Sequence, residues 1–230
     1  GTSHRVGWVL DNVPLTWWQR LVNRVIPMFP PRTYTLLNGT RNVIVEQSEG
    51  GGYYGSHDFR IKAVQHLYPA LRKGETLYGE LVGDVKEGMP IMASGVINDP
   101  DLKVRYGEQM HWRYGCEAGA CRFIIYRITM TNEDGHVMEL SWPQVQQRCH
   151  ELGVEMVPTL ATYIFDAPKD ERARTAFAAL LGNSLAQLVE GPSMLDSAHI
   201  REGVVVRVEN ASGVKWCKEK SFHFKCIEQI

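Results

Sequence analysis

The stretch HIREGVVVRVENASGVKWCKEKSFHFK (199–225) carries the densest pattern in the chain. An acidic residue and a glycine open a run of β-branched residues, so 203–209 reads as a strand, and the alternation over 214–219 and 222–229 reads as two more. Period two puts Glu202 on the strand face of Val204 and Val206, with Arg207 on the other face. A carboxylate heading an apolar strand is costly to ionise unless a cation or metal meets it, although Glu202 could instead sit at an exposed strand start. Lys218 and Lys220, two apart, share one face with Trp216 and Phe222. Two neighbouring ammonium groups repel, and an anion such as a phosphate between them offsets that repulsion. The alternative is a solvated edge strand whose lysines block aggregation.

Upstream, ETLYGELVGDV (75–85) places Tyr78 and Glu80 on one face of a short apolar strand, where Gly79 and Gly83 allow another group to approach. FIIYRITM (123–130) is an aromatic-bearing strand. Further strands are predicted at 3–10 and 41–47, and helical spacing fits 16–26, 57–72, 142–152 and 170–190. Ser56 and Asp58 could start the second helix and Gly74 end it; Ser141 caps the third, with Pro143 in its first turn. The apolar stripe of 170–190 predicts core packing. Residues 83–121, rich in Gly, Pro, Asn and Asp, predict an elaborated loop region with short strands. The mixed order predicts an α+β fold.

The chain has 230 residues, 44% of them hydrophobic, which suits one sizeable core. With 25 Lys and Arg against 26 Asp and Glu, bulk charge cannot hold a polyanion, so a local cluster must. No apolar run is long enough to span a bilayer, and GTSHRVGWVLD shows no signal-peptide pattern; a cut or processed N-terminus is expected. Five scattered cysteines without CxxC spacing suit free thiols in a reducing compartment, which points to a cytoplasmic or other intracellular protein. Cys116, Cys121, Cys149 and the eight histidines lack the ligand spacing of a zinc site. EQSEGGGYYGSHD (46–58) lacks the Gly-Lys-Ser/Thr ending of a P-loop and reads as a mobile loop near substrate.

The order of a Glu strand, an aromatic strand, EGVVVR and KEK resembles the covalent nucleotidyltransferase superfamily, and most closely ATP-dependent RNA ligases of the phage-type, nick-sealing branch. In that family motif I is Lys-x-Asp/His-Gly, often followed by Thr and Asn or Ser, and this chain opens Gly1-Thr2-Ser3. The resemblance places the nucleophilic lysine three positions ahead of Gly1, and makes residues 1–230 a ligase nucleotidyltransferase domain lacking that N-terminal segment, with no nucleic-acid domain after motif V. Arg41-Asn42 resembles motif Ia, which holds the nucleotide or the phosphate of the RNA end. Glu80 matches motif III near the ribose, Tyr126 the motif IIIa aromatic that stacks on adenine, Glu202 motif IV, and Lys218 and Lys220 the motif V pair on the α-phosphate. Ser3 stands where an asparagine often stands, among the nucleotide-binding positions.

The resemblance implies an α+β nucleotidyltransferase (ATP-grasp-like ligase) domain of antiparallel sheets flanked by helices. It implies ATP, with Mg²⁺ or Mn²⁺ held by Glu202 and Glu80, and RNA partners with 5′-phosphate and 3′-hydroxyl ends, in a protein of cellular, phage or viral origin that repairs RNA. The alternatives are a DNA ligase, a GTP-using capping enzyme, or a non-catalytic RNA-binding module derived from a ligase.

Overall fold

The computed structural model describes residues 1–45, 58–165 and 170–229. In chain order the elements are β1 (Thr2–Asn12), α1 (Trp17–Asn23), β2 (Arg32–Gly39), β3 (Ile44–Val45), α2 (Asp58–Val64), a 3₁₀ turn (Gln65–Ala70), β4 (Glu75–Lys86), β5 (Met89–Pro90), β6 (Gly95–Val96), α3 (Pro100–Tyr106), β7 (Gln109–Met110), β8 (Cys121–Thr131), β9 (Val137–Glu139), α4 (Trp142–Leu152), α5 (Glu171–Val189), β10 (Gly203–Asn210), β11 (Gly213–Lys220) and α6 (Phe222–Glu228). Seven strands form one sheet in the order β3-β2-β1-β4-β8-β9, with β5 added on β4, and every pairing in it is antiparallel. β10–β11 and β6–β7 are separate two-stranded sheets. The α+β expectation, with antiparallel sheets flanked by helices, is what the structure has.

Alternation along the strands divides the central sheet into two faces. Val6, Leu77, Leu81, Ile125 and Ile128 point to one face, where α2, the 3₁₀ turn and α4 bury Phe59, Leu67, Val145 and Cys149 against them. That core encloses an ion pair. Arg148 of α4 donates to both Glu75 oxygens at 2.7 and 2.9 Å, and Glu75 is 1% exposed. Hydrogen bonding to Glu75 holds the Arg148 guanidinium above its ordinary pKa despite the opposing effect of burial. On the opposite face Val82 and Ile124 pack against Met110, Trp112, Tyr114, Ile200 and Phe224 in a second core. This core leaves the rest of that face open and carries the loops that reach it.

Several elements differ from the sequence expectation. The strand expected over 222–229 is instead the helix Phe222–Glu228, because Ser221 caps it with its hydroxyl accepting from the Phe224 amide at 3.1 Å, and Phe224 and Ile227 fall on its buried side. Phe222 therefore leaves the lysine face and is 67% exposed. The strand expected over 41–47 is reduced to Ile44–Val45, with 46 and 47 outside the described residues, while β2 takes its place beside β1. The 57–72 helix gives way to a 3₁₀ turn at Gln65, where Pro69 is not compatible with a longer α-helix, and Gly74 lies past its end. Ser56 and the loop expected over 46–57 also lie outside the described residues. α5 buries none of its residues, so its apolar stripe is not core. Gly79 and Gly83 admit the protein's own groups: a Cβ would meet the Phe123 ring at 2.5 Å or the Ala120 carbonyl at 2.4 Å. Among the described residues no helix is long and apolar enough to cross a membrane.

Candidate active site

On the open face the antiparallel register brings distant residues into rows. Ser3 lies opposite Glu80 and Arg5 opposite Tyr78, so all four side chains project to this face. Arg5 crosses Gly39, where an added Cβ would lie 3.0 Å from its Nε, on the approach to Arg41. Between β4 and β8 the pairing steps from Tyr78↔Arg127 to Gly79↔Ile125, which leaves Tyr126 as the extra residue of a β-bulge. Bulges re-aim a side chain at the cost of one ladder position. Here the bulge turns Tyr126 toward Glu80. Burial pushes the Tyr126 phenol up, and the Glu80 charge adds to this, while Arg127 and Arg41 oppose it. The Arg127 guanidinium lies over the Tyr78 ring at 4.9 Å, adding a flat platform beside Tyr126. Three sequence-predicted residues, Arg41, Glu80 and Tyr126, thus share one neighbourhood.

Glu202 arrives from the second core. It precedes β10 rather than belonging to it, so the period-two face assigned to it does not carry through Gly203. That glycine has φ 143°, and a Cβ there would lie 2.1 Å from the Glu219 carbonyl, which closes the strand start tightly on β11. The partner of the Glu202 carboxylate is the Tyr114 hydroxyl, which donates to it, where the sequence reading called for a cation or metal. Burial first, then the Glu202 and Glu80 carboxylates, push the Tyr114 phenol far above its ordinary value, so it stays a proton donor. Tyr114 therefore sits within the field of both glutamates. Gly1 completes the neighbourhood: a Cβ on it would lie 2.5 Å from Glu80 Oε2, and its amino group is 3.4 Å from Met92 Sδ.

Lys218 and Lys220 lie opposite Val205 and Gly203, on the face of β10–β11 that also carries Trp216 and Arg207. That face is turned to the central sheet. The Arg207 guanidinium stacks on Trp216 at 4.6 Å and reaches Glu139 of β9 at 3.1 Å, while Glu139 also pairs with Arg127 at 2.9 Å. Lys218 is exposed and Lys220 half-buried, its ammonium 5.5 Å from the Phe224 ring centroid. Neither lysine is in an ion pair among the described residues. The sequence reading missed Tyr114, Arg5, Arg127, Glu139 and Arg207. Arg5 had a signal, since period two from Ser3 reaches it; Arg127 had none, because period two sets it opposite Tyr126 and only the bulge brings both to one face, and Tyr114 had none either.

Among the described residues no three His, Cys, Asp or Glu side chains gather into a metal cage. Two carboxylates with a phosphate as the third partner are the donor set that suits Mg²⁺ or Mn²⁺, so Glu80 and Glu202 fit such an ion. The thiols do not compete for it: all five cysteines are free, and burial pushes Cys121 up to about 12 and Cys149 to about 11.

Comparison with known proteins agrees with this arrangement. The sequence profile of the family described as RNA ligase matches residues 32–227. Among solved structures the chain is similar to Naegleria gruberi RNA ligase with PPi, with a TM-score of 0.53 at 14% identity. It is also similar to one mutant of that enzyme with ATP and Mn and to another with AMP and Mn, each with a TM-score of 0.51 at 15% identity. In each case all of this chain is covered but only 49% of the other, so the chain spans about half the length of the ligase it resembles. Curated proteins return no match. Since the profile takes in β2 through α6, and with them Arg41, Glu80, Tyr126, Glu202, Lys218 and Lys220, the chain belongs to the RNA ligase family.

Proposed function

We propose that the chain is the nucleotidyltransferase portion of an ATP-dependent RNA ligase that joins a 3′-hydroxyl to a 5′-phosphate. The observation that supports this is convergence on Glu80: its charge acts on both Tyr126 and Tyr114, Arg41 also acts on Tyr126, Glu202 accepts from Tyr114, and Gly1 lies against the Glu80 carboxylate. Tyr126 offers the flat apolar surface a purine needs, and Glu80 is placed for the ribose. Arg41 and Ser3 take phosphate oxygens, and Lys218 and Lys220 close on the α-phosphate from the facing hairpin. The nucleophile is a lysine three positions ahead of Gly1, a reach of about 10 Å along the chain before its own side chain is counted.

A lysine attacks phosphorus only as the free amine, and the two ammonium groups of β11 lower its pKa by repulsion while offsetting charge on the phosphoryl group. A divalent ion held by Glu202 and Glu80 would add charge neutralisation at the same place. Attack by Nζ on the α-phosphorus forms a lysyl-AMP and releases pyrophosphate. AMP then passes to the RNA 5′-phosphate, and the 3′-hydroxyl displaces it. ATP, AMP and Mn bound to the Naegleria gruberi enzyme support the same cofactors here. Free cysteines suit an intracellular setting, where ATP is at hand.

The test is the intact mass of the protein with its own upstream segment after incubation with ATP and Mg²⁺, with GTP and Lys218→Ala run in parallel. One adenylyl group gained from ATP alone, and reduced in the variant, is the expected result. A GTP adduct moves the protein to capping chemistry. No adduct, from protein not already adenylylated, leaves an RNA-binding module and refutes the ligase reading.

A further inference from the structure

Tyr114 is held in an improbable conformation by several independent contacts. Its φ is 55°, in the left-handed region that a bulky aromatic residue seldom adopts, and it is 7% exposed. The peptide group that follows it is tied at both ends: Arg122 donates to the Tyr114 carbonyl at 3.0 Å, and the Gly115 amide donates to Asp196 Oδ2 at 2.9 Å. The ring packs edge-on against His199 at 4.6 Å, and His199 is in turn wedged against Trp112. Backbone strain of this kind persists only where the surroundings over-determine it, and here all of them aim one hydroxyl. That hydroxyl donates to Glu202 Oε1, and among the described residues its one other hydrogen-bond partner is Met92 Sδ at 3.7 Å.

We propose that Tyr114 is a positioning residue for Glu202. Its hydroxyl fixes one carboxylate oxygen so that the other faces the Glu80 side of the cleft, where a divalent cation would be met. A glutamate carries three side-chain torsions and would otherwise sample several orientations at the open end of β10. A donor on one oxygen removes that freedom before the ion arrives, in the way outer partners orient metal ligands. Phenol suits the task, because a cationic donor would neutralise the carboxylate and compete with the metal. The proposal rests on the ligase reading for the step that it serves, but its test does not need that step.

The test measures Mn²⁺ binding to the full-length protein in the presence of AMP, through loss of the free-ion EPR signal, for native protein, Tyr114→Phe, Glu202→Gln and the double variant. Tyr114→Phe should keep its melting temperature and bind Mn²⁺ about tenfold more weakly, within the range seen when a ligand's outer partner is removed. In the Glu202→Gln background the same change should do nothing further. Unchanged affinity in Tyr114→Phe, an equal loss in both backgrounds, or no Mn²⁺ binding by native protein each overturns the proposal. Should Tyr114→Phe not fold, 3-fluorotyrosine at position 114 supplies the reading: its ¹⁹F resonance should move on adding Mg²⁺ and stay still in Glu202→Gln, and a resonance that never moves overturns the proposal. Native protein that binds Mn²⁺ but forms no adenylyl adduct refutes the ligase reading instead.

Discussion

Replacing Arg207 by alanine should loosen the lysine-bearing hairpin from the sheet without unfolding the sheet. β10–β11 makes no strand pairing to the central sheet, so its position depends on side chains, and Arg207 supplies three of these links. It pairs with Glu139 at 3.1 Å, donates to the Leu140 carbonyl, and fills the space between Trp216 and Trp142. Its side chain is 10% exposed and that of Glu139 14%. Removing one partner of a fully buried pair costs about 3–5 kcal/mol, and since Glu139 keeps Arg127, a loss of roughly 2–3 kcal/mol is expected here. That shifts the docked-to-undocked ratio of the hairpin roughly 30- to 150-fold. Hydrogen exchange reads it directly: amides of 203–220 should lose protection by up to that factor, while those of β4 and β8 keep theirs. Adenylylation should slow in parallel, because Lys218 and Lys220 ride on the hairpin. Arg207→Lys retains charge but loses the planar fork that spans Glu139 and Leu140, so it should fall between. If Arg207→Ala leaves both exchange and adenylylation as in the native protein, the hairpin is held by something else and the reasoning fails.

Tyr126→Ala should raise the ATP concentration for half-maximal adenylylation by about ten- to a hundredfold, since a base stacked on an aromatic contributes about 1–3 kcal/mol, whereas Tyr126→Phe should stay near native; equal effects of the two would point to the hydroxyl. Burial holds His199 below its ordinary value of 6.5, against the opposing pull of Ile200, Asp196 and Glu202. Its neutral form is thus favoured by folding, so its contribution is full above pH 6.5 and is lost as pH falls below it; His199→Gln should flatten the melting temperature between pH 7 and 5, and an unchanged slope would contradict this. Gly203→Ala puts a Cβ 2.1 Å from the Glu219 carbonyl at φ 143°, and should cost about 2 kcal/mol or more in chemical denaturation together with adenylylation. A neutral Gly203→Ala would mean that the strand start is looser than the structure has it.

What the sequence disclosed follows from which contacts are local. Period two located β1, β4, β8, β10 and β11 within a few residues, and helical spacing with Ser141 and Pro143 located α4, because those signals lie inside each element. α6 deceived the same test: Phe222, Phe224 and Cys226 alternate like a strand. The deciding contacts come from Glu190, which accepts from Ser221 Oγ at 2.7 Å and from the Phe222 amide and so fixes the helix start from 31 positions away. β2 was overlooked because RTYTLLNG is half-buried and mixed, and becomes a strand through its pairing with β1. The site behaves alike. Glu80, Tyr126, Glu202, Lys218 and Lys220 could be proposed because each stands in a short stretch that resembles a family motif. Tyr114 was not, since its proposed role depends on a left-handed backbone and on contacts to Arg122, eight residues on, and to Asp196 and Glu202, more than eighty residues away.

The two cores divide the work of the molecule, and the division accounts for where the chemistry lies. The helix-side core closes over the Glu75–Arg148 pair and fixes the sheet, so the rows Ser3–Glu80 and Arg5–Tyr78 are set by backbone pairing and need no further support. The second core packs on Val82 and Ile124 at one end of the opposite face, next to the bulge at Tyr126 where the proposed function places the base. It brings Tyr114 and Glu202 to that end through tertiary contacts, and the hairpin follows from Gly203. In the proposed reaction the base would therefore meet residues fixed by the sheet, while Lys218 and Lys220 would reach the phosphate from a hairpin held by side chains. The proposed transfer of AMP from ATP to lysine to RNA would need the base held still while the groups around phosphorus shift. Glu139 connects the two sides, since it pairs with Arg207 of the hairpin and with Arg127, whose guanidinium lies over the Tyr78 ring beside Tyr126.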